Sequence, residues 1–196
     1  MNKKASLLMG VDIGSGSLKS IVITSDGKLI ASENKELLTK YSHPGWSEQD
    51  PQNWYLAFCE TVKKIFLKTN IKKAQIASIC ICSTPHTAVL LGRNDDVLRP
   101  SILWTDQRSK KEVDWLNNKY AKKILNITYN RASPTWTLPQ ILWIKNNEPN
   151  VIRKTEKLMI AKDYLRYRLT EEWVTDNIDA MGTLLFDVKN VRWSER

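Results

Sequence analysis

The chain has 196 residues, 42% of them hydrophobic, and a formal net charge of +9; the length suits one substantial domain with its own core, and the composition is globular rather than disordered. No apolar run reaches the ~18 residues of a membrane span, and the start MNKKASLLMG has too short an apolar stretch for a secretory signal. Three cysteines, Cys59, Cys80 and Cys82, make no disulfide framework and point to a reducing, cytoplasmic setting.

LLMGVDIG reads as the first strand, with Leu7, Met9, Val11 and Ile13 on one face and Gly10 and Asp12 on the other. A glycine beside a carboxylate leaves that second face open to approach. The turn after it, Gly14-Ser15-Gly16-Ser17, fits neither common nucleotide loop: the Walker lysine spacing is missing, and Lys19 stands where a dinucleotide fingerprint needs its third glycine. The next segment, LKSIVITSDGKLIAS, is β-rich, with Asp26-Gly27 as a hairpin turn. Three consecutive antiparallel strands with a phosphate-type turn between the first two predict an α/β fold: a ribonuclease H-like, actin-like ATPase N-terminal domain, a mixed sheet flanked by helices. In such a turn the amides of Gly14 to Ser17 form an anion-binding concavity. Asp12 is then placed to hold Mg²⁺ through water. An ordinary hairpin turn with a strand-end aspartate has the same local sequence.

Residues 50–69 read as a helix, with Asp50 as N-cap, Pro51 at the first position and Trp54, Phe58, Val62 and Ile65 as its core stripe. IASICICS at 76–83 reads as a buried strand, with Cys80 and Cys82 as small core residues on one face. His86 stands just past its end, a second strand comes after it, and Asn94-Asp95-Asp96 makes a turn. Trp104, Asp106 and Arg108 then cluster before a helix from about Gln107. Imidazole, indole, carboxylate and guanidinium together suit a small polyhydroxylated molecule; a core tryptophan and helix-start charges would read the same. Residues 120–170 read as helical and basic, and Asp179, Ala180 and Gly182 mark a loop before a strand or turn at 183–188. Most of the positive excess lies in 101–170, with fourteen Lys/Arg against six Asp/Glu. A solvated face, a phosphorylated small molecule and nucleic acid all fit such a charge, but no nucleic-acid motif accompanies it. No linker divides the chain, so 1–196 reads as a single domain.

The stretches VDIGSGSLKS, HPGWSEQDPQNWY, ICICSTPHTAVLL, LRPSILWTDQRS, PTWTLPQILWIKNNEP, KDYLRYRLT and TDNIDAMGTLLFDVKNVRWS resemble, in that order, the FGGY carbohydrate kinases, closest to their xylulokinase members. The resemblance implies transfer of the ATP γ-phosphoryl group to a ketopentose, D-xylulose to D-xylulose 5-phosphate, with ATP and Mg²⁺ as cofactors. It implies metal and phosphate placement by Asp12, phosphate binding by Gly14, Ser15, Gly16, Ser17 and Lys19, and sugar contacts from His86, Trp104, Asp106, Arg108 and Thr135. The small-molecule partners are then a sugar and ATP, with no nucleic acid or membrane; the protein partner is a second copy or the C-terminal half of a split kinase. Ser83, Thr84 and Pro85 stand where xylulokinases carry glycine, glutamine and methionine, which keeps open another sugar or polyol; a non-catalytic sugar-binding scaffold built from a kinase lobe is a separate alternative. The family's catalytic base, in a glycine-rich motif, and its C-terminal ATP-binding domain are expected beyond residue 196, so the isolated chain is expected to be inactive.

Overall fold

The computed structural model describes residues 6–195. Strands β1 (Leu7–Ile13), β2 (Ser17–Thr24) and β3 (Leu29–Glu36) form the antiparallel meander the sequence predicts. Gly27 turns the second hairpin at φ +90°, a backbone region costly for any residue with a Cβ. After the two-residue strand β4 (Glu48–Gln49), helix α1 (Pro51–Lys68) begins on the Asp50 carboxylate, which accepts from the Gln52 N–H at 2.9 Å. The chain then returns as β5 (Ile76–Ser83), parallel to β1, giving the sheet order β3-β2-β1-β5.

The remaining elements are β6 (Ala88–Leu91), β7 (Ser101–Ile102), α2 (Lys110–Thr128), α3 (Thr137–Asn147), α4 (Pro149–Lys154), β8 (Lys157–Ile160), α5 (Ala161–Thr170), α6 (Asn177–Gly182), β9 (Phe186–Asp187) and β10 (Arg192–Trp193). Strands β6 and β8 pair antiparallel, and β4 pairs with β7.

One face of the main sheet is covered by α1 and α5. Leu7, Met9, Val11 and Ile13 pack there with Leu18 and Val22 of β2, Trp54, Phe58 and Ile65 of α1, and Tyr164 and Leu165 of α5. Burying each large side chain is worth about 1.5–3 kcal/mol, so this layer carries much of the fold. The buried Ser20 and Thr61 hydroxyls bond each other at 2.8 Å between β2 and α1, so neither polar group is stranded.

Three expectations are corrected. Strand β5 forms, but Cys80 and Cys82 are exposed rather than core. They pair in register with Gly10 and Asp12, on the face that neither α1 nor α5 covers, and β5 is the sheet's edge. Residues 120–170 are not wholly helical: Lys157–Ile160 becomes a strand because β6 offers it an edge. Asp179 to Gly182 lie in a short helix, not a loop, capped by Asp176, whose side chain accepts from the N–H groups of Ile178 and Asp179.

Candidate functional site

The site lies where β1 and β5 end side by side, at their carboxyl ends, the place where open α/β sheets gather ligands. The Thr84 N–H donates to the Ile13 carbonyl at 2.9 Å, so the loop after β5 starts against the loop after β1.

In the first loop, Gly14 N–H donates to Ser17 O at 2.9 Å and closes the hairpin. That amide is therefore spent on the turn. The N–H groups of Ser15 and Gly16, at the exposed tip, donate to no acceptor among the described residues. A Cβ at Gly14 would lie 3.0 Å from the Ser17 carbonyl, so the tight turn itself calls for glycine. The loop is also held from beneath. Buried Gln49 donates to Ser15 O at 2.7 Å and to Thr39 Oγ1 at 2.9 Å, and its own oxygen accepts from Trp54 Nε1 at 2.8 Å. The sequence did not single out Gln49; its only signal was an amide placed just ahead of a helix cap.

Asp12 is exposed, and Lys19 is its cross-strand partner in register. Cys82 Sγ donates to Asp12 Oδ1 at 3.5 Å. Partial burial, and then the Asp12 charge, push the Cys82 thiol above its ordinary value, so it stays protonated and remains a donor. Among the described residues, no group of three or more His, Cys, Asp or Glu is arranged to hold a metal. A lone strand-end carboxylate beside free amides fits magnesium, a hard ion that keeps its waters and takes one or two carboxylates plus phosphate oxygens. It does not fit a closed zinc-type cage.

The second loop carries His86. Its φ is +65°, the left-handed region that non-glycine residues seldom occupy. Its carbonyl accepts from Thr137 Oγ1 at 3.0 Å, and its ring packs on Trp136 at 4.4 Å between centroids. Burial holds the imidazole below its ordinary pKa, against the pull of the Asp179 charge and of the Gly182 backbone. Nδ1 is sealed from solvent and makes no well-aligned hydrogen bond among the described residues.

Trp104 is 44% exposed, and Thr135 is half-buried. Buried Gln140 joins their segments, donating to Leu103 O at 3.4 Å and Pro134 O at 3.1 Å. The start of α3 is tied to the end of α6 by Leu138 N–H to Thr183 O, 3.0 Å. His86, Trp136 and the Gly182 turn therefore share one wall, with Trp104 and Thr135 linked to it through Gln140.

Asp106 and Arg108 are placed differently. Each side chain is 1% exposed. Arg108 donates through Nε to Asp106 Oδ1 at 3.0 Å, through NH2 to Oδ2 at 2.8 Å and through NH1 to Glu48 Oε1 at 2.7 Å. Its guanidinium lies 3.7 Å from the Trp46 ring centroid and 4.9 Å from that of Trp143. Asp106 also accepts from the Ser47 N–H and the Arg108 N–H. These groups are spent on one another and brace the Trp104 loop from below, so the pair does not face an open cleft.

The chain is similar to known proteins both in sequence and in shape. The model of the FGGY family of carbohydrate kinases, N-terminal domain, matches residues 7–196. The xylulose kinase of Klebsiella pneumoniae is 35% identical over 189 residues, 96% of this chain and 38% of that protein. A crystal structure of a xyloylose kinase from Brucella ovis superposes with a TM-score of 0.90 at 33% identity, covering 96% of this chain and 38% of its own. A gluconate kinase from Lactobacillus acidophilus superposes with a TM-score of 0.91 at 29% identity, over 97% of this chain and 38% of its own. The chain thus spans well under half the length of these relatives.

Proposed function

Since the chain belongs to the FGGY family of carbohydrate kinases, as its N-terminal domain, we propose that residues 1–196, folded as a single domain, form the sugar-and-phosphate wall of an enzyme that passes the γ-phosphoryl group of ATP to a ketopentose, D-xylulose first. The observation that carries the proposal is the parallel β1–β5 pair. It sets an exposed carboxylate and two unbonded amides beside the loop that presents His86. Cys82, the register partner of Asp12, is four residues from His86, so the His86 backbone lies within about 14 Å of the residue beside Asp12.

Phosphoryl transfer asks mainly for in-line positioning and charge neutralisation. The Ser15 and Gly16 amides and Lys19 receive phosphate oxygens. Asp12 holds magnesium through water, and the ion, when bound, neutralises the charge of the transferring group. The Trp104 indole covers the apolar face of the sugar, while His86 and Thr135 bond its hydroxyls. Asp106 and Arg108 keep Trp104 in place from beneath. The base that accepts the hydroxyl proton, worth typically 10²–10⁴-fold, lies on this reading in chain beyond residue 196. The three exposed, unpaired thiols suit a reducing, cytoplasmic compartment.

A second reading, a kinase of another sugar or sugar acid, is favoured by Pro85 in the His86 loop and by the likeness to a gluconate kinase. The test is ADP release by the full-length protein on a panel of D-xylulose, D-ribulose, glycerol and gluconate. D-xylulose is expected to give the highest kcat/KM, Asp12→Ala to abolish turnover, and the 196 residues alone to give none. Preference for another acceptor overturns the substrate. Sugar binding without turnover by the full-length protein overturns the kinase in favour of a scaffold. Turnover by the 196 residues alone, above the Asp12→Ala control, overturns the division of labour.

A further inference from the structure

We propose that Gly182 is a positioning residue for sugar recognition: by having no side chain it makes the seat in which the His86 imidazole lies. The inference rests on the reading of His86 as a sugar contact. A Cβ built on Gly182 would stand 2.1 Å from His86 Nδ1 and 2.4 Å from Cε1, far inside any contact two atoms tolerate. The backbone gives no other reason for glycine there. Gly182 does not have positive φ, it closes the helix α6, and alanine is the better helix former by about 1 kcal/mol. The residue is buried, so the space it leaves is the space the ring fills.

The ring has little freedom to retreat. Its backbone is held at φ +65°, its carbonyl is bound by Thr137, and Trp136 closes one side. Nδ1 faces Gly182 and is sealed from solvent, so Nε2 is the nitrogen left to meet a hydroxyl. An alanine methyl would drive the imidazole out of this seat and turn Nε2 away from the sugar.

The experiment compares wild type, Gly182→Ala, His86→Ala and the double variant, using two readouts. The first is the imidazole NMR signal of the 196-residue chain, where only His43 and His86 contribute. Gly182→Ala is expected to move the His86 signal and bring its titration toward the ordinary range, leaving His43 alone. The second is steady-state kinetics of the full-length protein. Gly182→Ala is expected to raise the sugar KM about tenfold, the worth of one hydrogen bond, with kcat and the ATP KM nearly unchanged. In the His86→Ala background, where no ring is displaced, it should add nothing. That double variant also has room for the methyl, so it keeps the test alive if Gly182→Ala folds poorly. An unmoved His86 signal, or equal Gly182→Ala costs with and without the ring, overturns the proposal. A moved signal with His86→Ala leaving the sugar KM unchanged overturns the sugar-contact reading, and with it Gly182's part in recognition, while the seat itself stands.

Discussion

At the scale of single residues, the chemistry divides between side chains left open and side chains spent on one another. Asp12 and Trp104 are exposed. Arg108 has its Nε, NH1 and NH2 engaged and a tryptophan against its guanidinium face. Removing one partner of a buried, hydrogen-bonded charge set leaves the others uncompensated, at a cost of about 3–5 kcal/mol. Arg108→Ala should therefore lower the urea unfolding midpoint sharply. Arg108→Lys should recover only part of the loss, because an ammonium offers neither the fork that meets Asp106 nor the plane that stacks on Trp46. If Arg108 were a sugar contact, both variants would leave the midpoint alone and weaken only sugar binding. The sequence displayed Trp104, Asp106 and Arg108 as a cluster, but not which of them would pair. The partners, Ser47 and Glu48, lie about sixty residues earlier, and no local pattern announces a contact across that distance. Gly182 was equally hidden: a glycine near a turn looks like a hinge until the ring beside it is seen.

At the scale of elements, legibility followed local pattern. The alternation of β1, the Asp-Gly turn and the Asp50-Pro51 helix start are local chemistry, and all three formed as read. An apolar run such as β5 shows strand character but not what covers it; its exposure came from its edge position and from the uncovered face it shares with Asp12. Helix α6 is six residues ending on a glycine, too short to show a helical period in the sequence. What holds it is tertiary. Lys162, at the start of α5, reaches Asp163 at 2.9 Å, Asp176 at 2.8 Å and Asp179 at 2.9 Å. Burial pulls the Lys162 ammonium down, but the hydrogen bonds to these three carboxylates outweigh it and hold it above the ordinary lysine value. The Lys162 bond in turn holds the Asp176 carboxyl below the usual carboxylate range. A carboxyl whose folded pKa lies below its unfolded value lends its full support above the unfolded value, ~3.9, and loses it as pH falls through the folded one. Amide protection across 177–182 should thus be flat from neutrality to about pH 4 and decline below. Asp176→Asn keeps a good N-cap but loses the ion pair. Because Asp176 is half-exposed, water screens that pair to under about 1 kcal/mol, so protection should fall by up to about fivefold at neutral pH. The variant should also lack the wild type's acid step; a step that persisted in Asp176→Asn would place the titration on another carboxyl.

At the scale of the whole molecule, a strongly basic chain carries a bare sheet edge. The net charge of +9 keeps copies apart in dilute salt. Strand β5 pairs with β1 alone among the described strands, and Ile79 on it is 44% exposed. An edge of unpaired N–H and C=O groups with an apolar side chain is a template for a second copy of itself. Which tendency wins depends on how far the charges reach. The Debye length is about 30 Å at 0.01 M salt and about 3 Å at 1 M. At the lower value two approaching edges feel much of each other's charge; at the higher value they feel only the neighbouring residues. The 196-residue chain should therefore run as a monomer by light scattering at about 0.01–0.1 M salt and self-associate toward 1 M. Ile79→Lys should remain monomeric throughout, since pairing this edge with a second copy would strip water from the lysine ammonium, a cost that added salt does not remove. A wild-type chain that stays monomeric in 1 M salt would mean that short-range features of β5 already protect the edge. Association by Ile79→Lys equal to that of wild type would move the sticky surface elsewhere, to the exposed Leu38, Tyr41 and Leu56 first.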